Sequence, residues 1–291
     1  MHQAITDMLD PYMCQTPADY KNALKEIIQQ IVLLGLSRQG FFNRAAFYGG
    51  TALRIGHGLQ RFSEALDFTL LSPDPDFLLG PYLKGIEEEL LSYELHFSAH
   101  SAVKSGNTPI KSAFIKGNTL AVLLSISDTK IHTSGTHKNE LLKIKLEVDT
   151  DPPNPSGNTE TLFLTNPIPF SYRILTLESL FAGKLHAIVC RNYPSGRVKG
   201  RDFYDFIWYM KKRVTPDISY LEAKLRQSGV IEEYQVLTMD MIRDVITERI
   251  AAIDFTEARK DITPFIKDDF EVAVWSREFF MPLVQSLTDL Y

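Results

Sequence analysis

The chain has 291 residues, 44% of them hydrophobic and 23% charged, and a formal net charge of −5, which suits two lobes with real cores and argues against wholesale coating of nucleic acid while leaving room for a local basic strip. Two cysteines, Cys14 and Cys190, without CxxC or Cys/His metal spacing, exclude a disulfide framework and fit a reducing, cytoplasmic setting. The N-terminal stretch has no basic start backed by an apolar run, and the longest apolar stretches are too short to span a bilayer, so neither secretion nor membrane insertion is expected.

Leu24, Ile27, Ile28, Ile31 and Leu34 recur at helical spacing, which predicts an amphipathic helix over 18–36 that weakens at Gly35 and stops by Gly40. Residues 45–48 read as a short buried strand ending at Gly49-Gly50, 51–57 as a helix, and 66–71 as a second strand stopped by Ser72-Pro73-Asp74-Pro75. Phe77, Leu78, Tyr82, Ile86, Leu90 and Leu91 predict a helix within 75–93. Three strand-like runs follow, 94–103, 110–126 with a turn at Gly117-Asn118, and 141–149, favoured by their β-branched and aromatic residues. Residues 151–158, rich in Pro, Asn and Gly, form a loop. Beyond Leu175 nearly everything reads as helix: 175–190, 201–212, 219–227, 239–253, 261–266 and 270–287. The expected organisation is an α/β core over 1–174 and a helical lobe over 175–291, with no internal repeat.

The chemistry-bearing residues begin at the turn. Gly49 and Gly50 lack a Cβ, so backbone N–H groups through Thr51 can approach phosphate oxygens, and the following helix turns its positive end to the same anion. The Thr51 hydroxyl would add a donor, although an ordinary tight turn looks the same in isolation. Asp67 lies mid-strand between Leu66 and Phe68 and shares its face with Ala65 and Thr69. A charge there needs a partner, either Mg²⁺ bridging phosphate oxygens or an arginine such as Arg54 or Arg61.

In the run from Lys143 to Asp149, Lys143, Lys145, Glu147 and Asp149 share one strand face and Ile144, Leu146 and Val148 the other. If this strand neighbours that of Asp67, Glu147 could assist a nucleophile or a metal and Lys145 could offset phosphate charge; otherwise the face is merely solvated. Lys184 and Arg191 stand two helical turns apart and point together, which suits a triphosphate, although a solvated surface pair is commoner for isolated lysines. Asp202 and Asp205 open a helix, where the macrodipole favours acids, and Arg197, Lys199 and Arg201 could steer an RNA end or an NTP.

In order, Gly49-Gly50-Thr51-Ala52-Leu53-Arg54, then Arg61-Phe62-Ser63-Glu64-Ala65-Leu66-Asp67-Phe68, the Lys145-Leu146-Glu147 strand, the Lys184 helix and Arg201-Asp202-Phe203-Tyr204-Asp205 resemble the AbiEii-type nucleotidyltransferase toxins. These are the toxic partners of AbiE-like abortive-infection modules and type IV toxin–antitoxin systems. The matching blocks run from Phe47 to Phe206; beyond them the resemblance is only helical character. It implies an α/β, polymerase-β-like nucleotidyltransferase core with a mixed sheet, plus a C-terminal helical lobe. It also implies an enzyme that uses an NTP and Mg²⁺ (or Mn²⁺) to place a nucleotide on an RNA acceptor, in some related toxins the 3′ end of tRNA, and a cognate antitoxin encoded nearby.

Carried over by position, Gly49, Gly50, Thr51 and Ser63 would hold the NTP, with Lys145, Lys184 and Arg191 meeting its phosphates. Asp67 and residue 65 would bind the metal, Glu147 would be the third acid, Asp202 and Asp205 would line the cleft with Lys184, and Arg197, Lys199 and Arg201 would face RNA. The departure is Ala65, because the family pattern reads Ser-Glu-Asp-Leu-Asp-Phe and places a metal-binding aspartate there. A methyl in that position removes a hard oxygen ligand, and Glu64 points to the opposite face and cannot replace it. Ala65 therefore reads as a deliberate Asp-to-Ala substitution, an active toxin being hard to express. The rival reading is a non-catalytic NTP- or RNA-binding pseudoenzyme; a third is a kinase-like phosphotransferase acting on a protein partner.

Overall fold

The structure is a computed structural model describing residues 2–102, 108–126, 137–191 and 198–287, with backbone alone for 124–126. Its contacts divide the chain into two compact units, Met1–Ala52 with Phe62–Pro152 and Glu160–Ile174, and Leu53–Arg61 with Pro153–Thr159 and Leu175–Tyr291.

The first unit is built on a mixed sheet. Its strands are β1 (Ala45–Tyr48), β2 (Ala65–Leu70), β3 (Phe97–Ala102), β4 (Ile110–Asn118), β5 (Leu141–Asp149), β6 (Thr159–Leu164) and β7 (Phe170–Leu175), in the spatial order β3-β4-β5-β2-β1-β7-β6. β2 runs parallel to β5 and antiparallel to β1, and β7 lies parallel beside β1 with Phe47 opposite Ile174. The α/β class with a mixed sheet is thus as the sequence leads one to expect. Helix α1 (Gln3–Leu9) precedes α2 (Pro17–Arg38), which packs against β5 and against α4 (Gly80–Ser92), while α3 (Gly49–His57) joins β1 to the approach to β2.

Thr16 starts α2 with a capping box: its hydroxyl accepts from the Asp19 amide (3.2 Å) and the Asp19 carboxylate accepts from the Thr16 amide (2.8 Å), with Pro17 in the first helical position. Leu24, Ile27, Ile28 and Ile31 are then completely buried, as their spacing predicts. On the sheet the same alternation holds: Leu66, Phe68, Ile144, Leu146 and Val148 are completely buried, whereas Ala65, Asp67, Lys145, Glu147 and Asp149 keep partial exposure.

Several boundaries differ from the sequence expectation. The helix expected within 75–93 starts at Gly80, with Pro81 where a missing N–H costs nothing. The strand expected over 110–126 ends at Asn118, whose side-chain oxygen accepts from the Ala121 amide (2.9 Å) and opens α5 (Thr119–Ile126); Gly117 stays in the ladder opposite Leu142. Strands β6 and β7 and helix α1 were not anticipated.

The second unit is helical: α6 (Leu177–Cys190), α7 (Gly200–Lys212), α8 (Ile218–Gln227), α9 (Met239–Ala251), α10 (Phe255–Ile262), α11 (Phe270–Ala273) and α12 (Arg277–Gln285). Asp254 caps α10 through the Thr256 amide (2.8 Å), which moves that helix ahead of the expected 261–266. Ser276 caps α12 through the Phe279 amide (3.2 Å), which splits the expected 270–287 helix in two. Phe181 of α6 stacks on Tyr209 of α7 with ring centres 4.4 Å apart, and Phe203, Phe255 and Trp275 gather around the fully buried Phe280. Among the described residues no helix is long and apolar enough to cross a membrane.

Candidate active site

At the end of β1 the chain turns into α3 at Gly49, where φ is +83°, a region open to glycine and strained for other residues. A Cβ placed on Gly49 would lie 2.8 Å from Oδ2 of Asp67 and 3.3 Å from its Cβ. Glycine is therefore required twice over, by its backbone angle and by the closeness of a carboxylate. The amides of Gly49, Gly50 and Thr51 form the first turn of α3, which α-helix geometry leaves without intrahelical acceptors, and the helix adds a positive end. Thr51 is buried, and its hydroxyl donates to the Ala65 carbonyl. That side chain ties α3 to β2, leaving the main chain as Thr51's contribution to any phosphate cradle.

The β2–β5 register places Asp67 directly opposite Glu147, Ala65 opposite Lys145 and Thr69 opposite Asp149. Opposed residues in a sheet project to the same side, so the acid pair that the sequence made conditional on strand neighbourhood does share one face. From β1, Tyr48 stands opposite Asp67. Glu147 is held at both oxygens: Ser112 Oγ donates to Oε1 (3.0 Å), and Lys145 Nζ lies 2.5 Å from Oε2. Ser63 lies two residues ahead of β2, and its carbonyl accepts from Gln29 Nε2 (3.0 Å). Glu64 is paired with Lys25 (3.1 Å).

As a donor set, Asp67 and Glu147 supply hard carboxylate oxygens beside an anion-seeking helix start. Mg²⁺ and Mn²⁺ commonly take one or two carboxylates together with phosphate oxygens and water, so this pair fits one such ion. Among the described residues no group of three or more His, Cys, Asp and Glu is placed to hold a metal, and the methyl of Ala65 offers nothing to a second ion.

Within the helical unit a second constellation forms. Arg61 grips Asp205 with a two-pronged bond, Nε to Oδ1 and Nη2 to Oδ2, both 2.6 Å. Lys184 Nζ reaches Asp202 Oδ1 and Asp205 Oδ2, each at 2.8 Å, and Arg191 bonds the other oxygen of Asp202. Arg61 and Asp202 are 2% exposed and Asp205 is fully enclosed. Burial pushes the Asp205 carboxyl up, but the Arg61 and Lys184 charges and their hydrogen bonds outweigh it and hold it below the usual carboxylate range. For Arg61, burial pulls down and Asp205 overcomes it, leaving the guanidinium more firmly protonated. Lys184 and Arg191 do point together, but toward a carboxylate they share.

Lys199 precedes the first residue of α7. Arg201 stacks over the Phe265 ring (4.4 Å to its centre) and approaches Asp261 (3.5 Å); Arg197 lies outside the described residues. Two participants escaped the sequence reading. Ser112 becomes visible only once the β4–β5 register is known, and Arg61, weighed as a partner for Asp67, is the fork on Asp205.

Residues 31–276 match the family model described as "Nucleotidyl transferase AbiEii toxin, Type IV TA system". Among solved structures the chain is similar to a candidate nucleotidyltransferase from H. pylori, at 16% identity and a TM-score of 0.45, over 90% of this chain and 92% of that one. It is also similar to JHP933 from Helicobacter pylori, at 17% identity and a TM-score of 0.49, over 91% of each chain. None of the curated proteins matches.

Proposed function

The chain belongs to the AbiEii nucleotidyl transferase toxin family of type IV toxin–antitoxin systems, and from that membership we propose that the β2–β5 face transfers a nucleoside monophosphate from an NTP to an RNA acceptor, the 3′ end of tRNA being the acceptor to test first. The family implies an antitoxin partner. The observation that carries the reading is the Asp67–Glu147 pair, side by side at the glycine turn.

In this reading the acceptor hydroxyl oxygen attacks the α-phosphorus, the bond from that phosphorus to the bridging oxygen breaks, pyrophosphate leaves, and the hydroxyl proton passes to water. The Gly49–Thr51 amides hold phosphate oxygens in line. Asp67 and Glu147 would hold Mg²⁺ or Mn²⁺, which when bound neutralises the triphosphate. Lys145 offsets charge beside Glu147. In the ionic cluster, Lys184, Asp202 and Asp205 order α6 against α7, while Arg191, with 45% of its side chain exposed, joins Lys199 and Arg201 as a basic margin suited to RNA phosphates.

Ala65 supports a second reading, a binder of NTP or RNA without turnover. Incubating the chain and its Ala65→Asp form with total tRNA and each α-labelled NTP separates the two. The transfer reading expects label in RNA, faster by roughly 100-fold in Ala65→Asp, the effect of regaining about 2.7 kcal/mol of charge stabilisation. No label from either form with any NTP removes it in favour of binding, and label arising only from γ-labelled ATP indicates a kinase-like phosphotransferase.

A further inference from the structure

Lys145 stands opposite Ala65 in the β2–β5 register, and its ammonium is 2.5 Å from Oε2 of Glu147. The remaining Glu147 oxygen accepts from Ser112, which is 4% exposed, while Lys145 keeps 41% of its side chain in solvent. One oxygen is thus fixed by a buried neutral donor from β4, the other by a partly exposed cation on its own strand. Lys143, the next cation on that face, rests over the Phe114 ring, 3.8 Å from its centre.

An ammonium at hydrogen-bond distance does to Glu147 part of what a divalent ion would do: it neutralises the carboxylate and fixes its rotamer. Both draw on the same Glu147 charge, and positive charges this close repel. Across the ladder, the methyl of Ala65 offers no carboxylate to draw the ammonium away. We propose that Lys145 is the resident cation of this face and competes with a divalent ion for Glu147, so that this lysine sets the divalent affinity of the chain. The inference rests on the transfer reading above, in which Asp67 and Glu147 are the ion's ligands.

The test is a Mn²⁺ titration without nucleotide, followed by the paramagnetic resonance signal of free Mn²⁺. Lys145→Gln should bind Mn²⁺ about fivefold or more tighter than the unmodified chain, Lys145→Arg should stay within about twofold, and adding Glu147→Gln to Lys145→Gln should abolish the gain. Lys145→Met carries the same expectation should Lys145→Gln fail to fold by circular dichroism. Unchanged or weaker binding in the neutral variants, a gain that survives Glu147→Gln, or no Mn²⁺ binding by any form overturns the proposal. A wrong order of affinities leaves the transfer reading standing, and absence of label transfer leaves that order intact, so the two failures are told apart.

Discussion

Gly49 and Asp67 approach so closely that a single side-chain carbon on the glycine would sit 2.8 Å from the carboxylate oxygen. Gly49→Ala therefore adds strain at φ +83°, about 1–2 kcal/mol, and pushes Asp67 from its place on the face. The expected outcome is a lower urea midpoint by that amount together with weaker Mn²⁺ binding. Gly58, also at positive φ but with nothing near its Cβ position, provides the control, since Gly58→Ala should lose stability alone.

Removing one partner of the Arg61–Asp205 fork leaves a fully enclosed charge. Asp205→Asn or Arg61→Met should destabilise by roughly 3–5 kcal/mol, read from urea unfolding. The pair Arg61→Met with Asp205→Leu should recover part of that loss, because Lys184 retains Asp202. Equal destabilisation by the single and double substitutions would contradict the arrangement.

His186 gives the helical unit a pH dependence. Burial, then the Lys224 charge, lower its pKa to about 4, only partly opposed by a backbone hydrogen bond at Lys224, and its Nε2 lies 2.6 Å from Ser228 Oγ. The unfolded chain, with an ordinary histidine near 6.5, binds more protons between those two values, so stability rises with pH from about 4 to 6.5 and is fully present above that. With partial solvent access discounted, the span is on the order of 2 kcal/mol. His186→Gln should flatten the slope in unfolding measured across that window. Asp205 acts further into acid: its lowered pKa stabilises above the ordinary carboxylate range, and that contribution is lost as pH falls through the folded value.

Thr51→Val keeps the shape and deletes the hydroxyl that meets the Ala65 carbonyl. The loss of one bond to a buried group should cost about 1–2 kcal/mol, visible as a lower thermal midpoint. If the hydroxyl instead served a phosphate, nucleotide affinity would fall while the midpoint held.

The turn, both strands of the acid pair and the long α2 were legible in sequence because each depends on local chemistry: glycines at a strand end, period-two alternation from Ala65 and Lys143, period-3.6 apolar spacing from Leu24. Adjacency of Asp67 and Glu147 was legible only as a condition, since register is a property of two distant segments. The same limit hid Ser112, whose importance comes from facing Glu147 across β4–β5. The lengths of α10 and α12 were misjudged at Asp254 and Ser276, where short polar side chains were capping helices. Lys184 and Arg191 do converge, on Asp202, although Arg191 lies just past the end of α6 in extended backbone rather than on a shared helix face; charge alone does not say whether a cation awaits a ligand or already has a carboxylate.

The Thr51 hydroxyl holds residue 65 by its main-chain oxygen, an atom every amino acid carries. The scaffold is therefore indifferent to which side chain stands there, and a substitution at 65 can change the chemistry of that face while the molecule continues to fold. Folding and chemistry are thereby separable at this position, since β2 keeps its tie to α3 whichever side chain residue 65 brings.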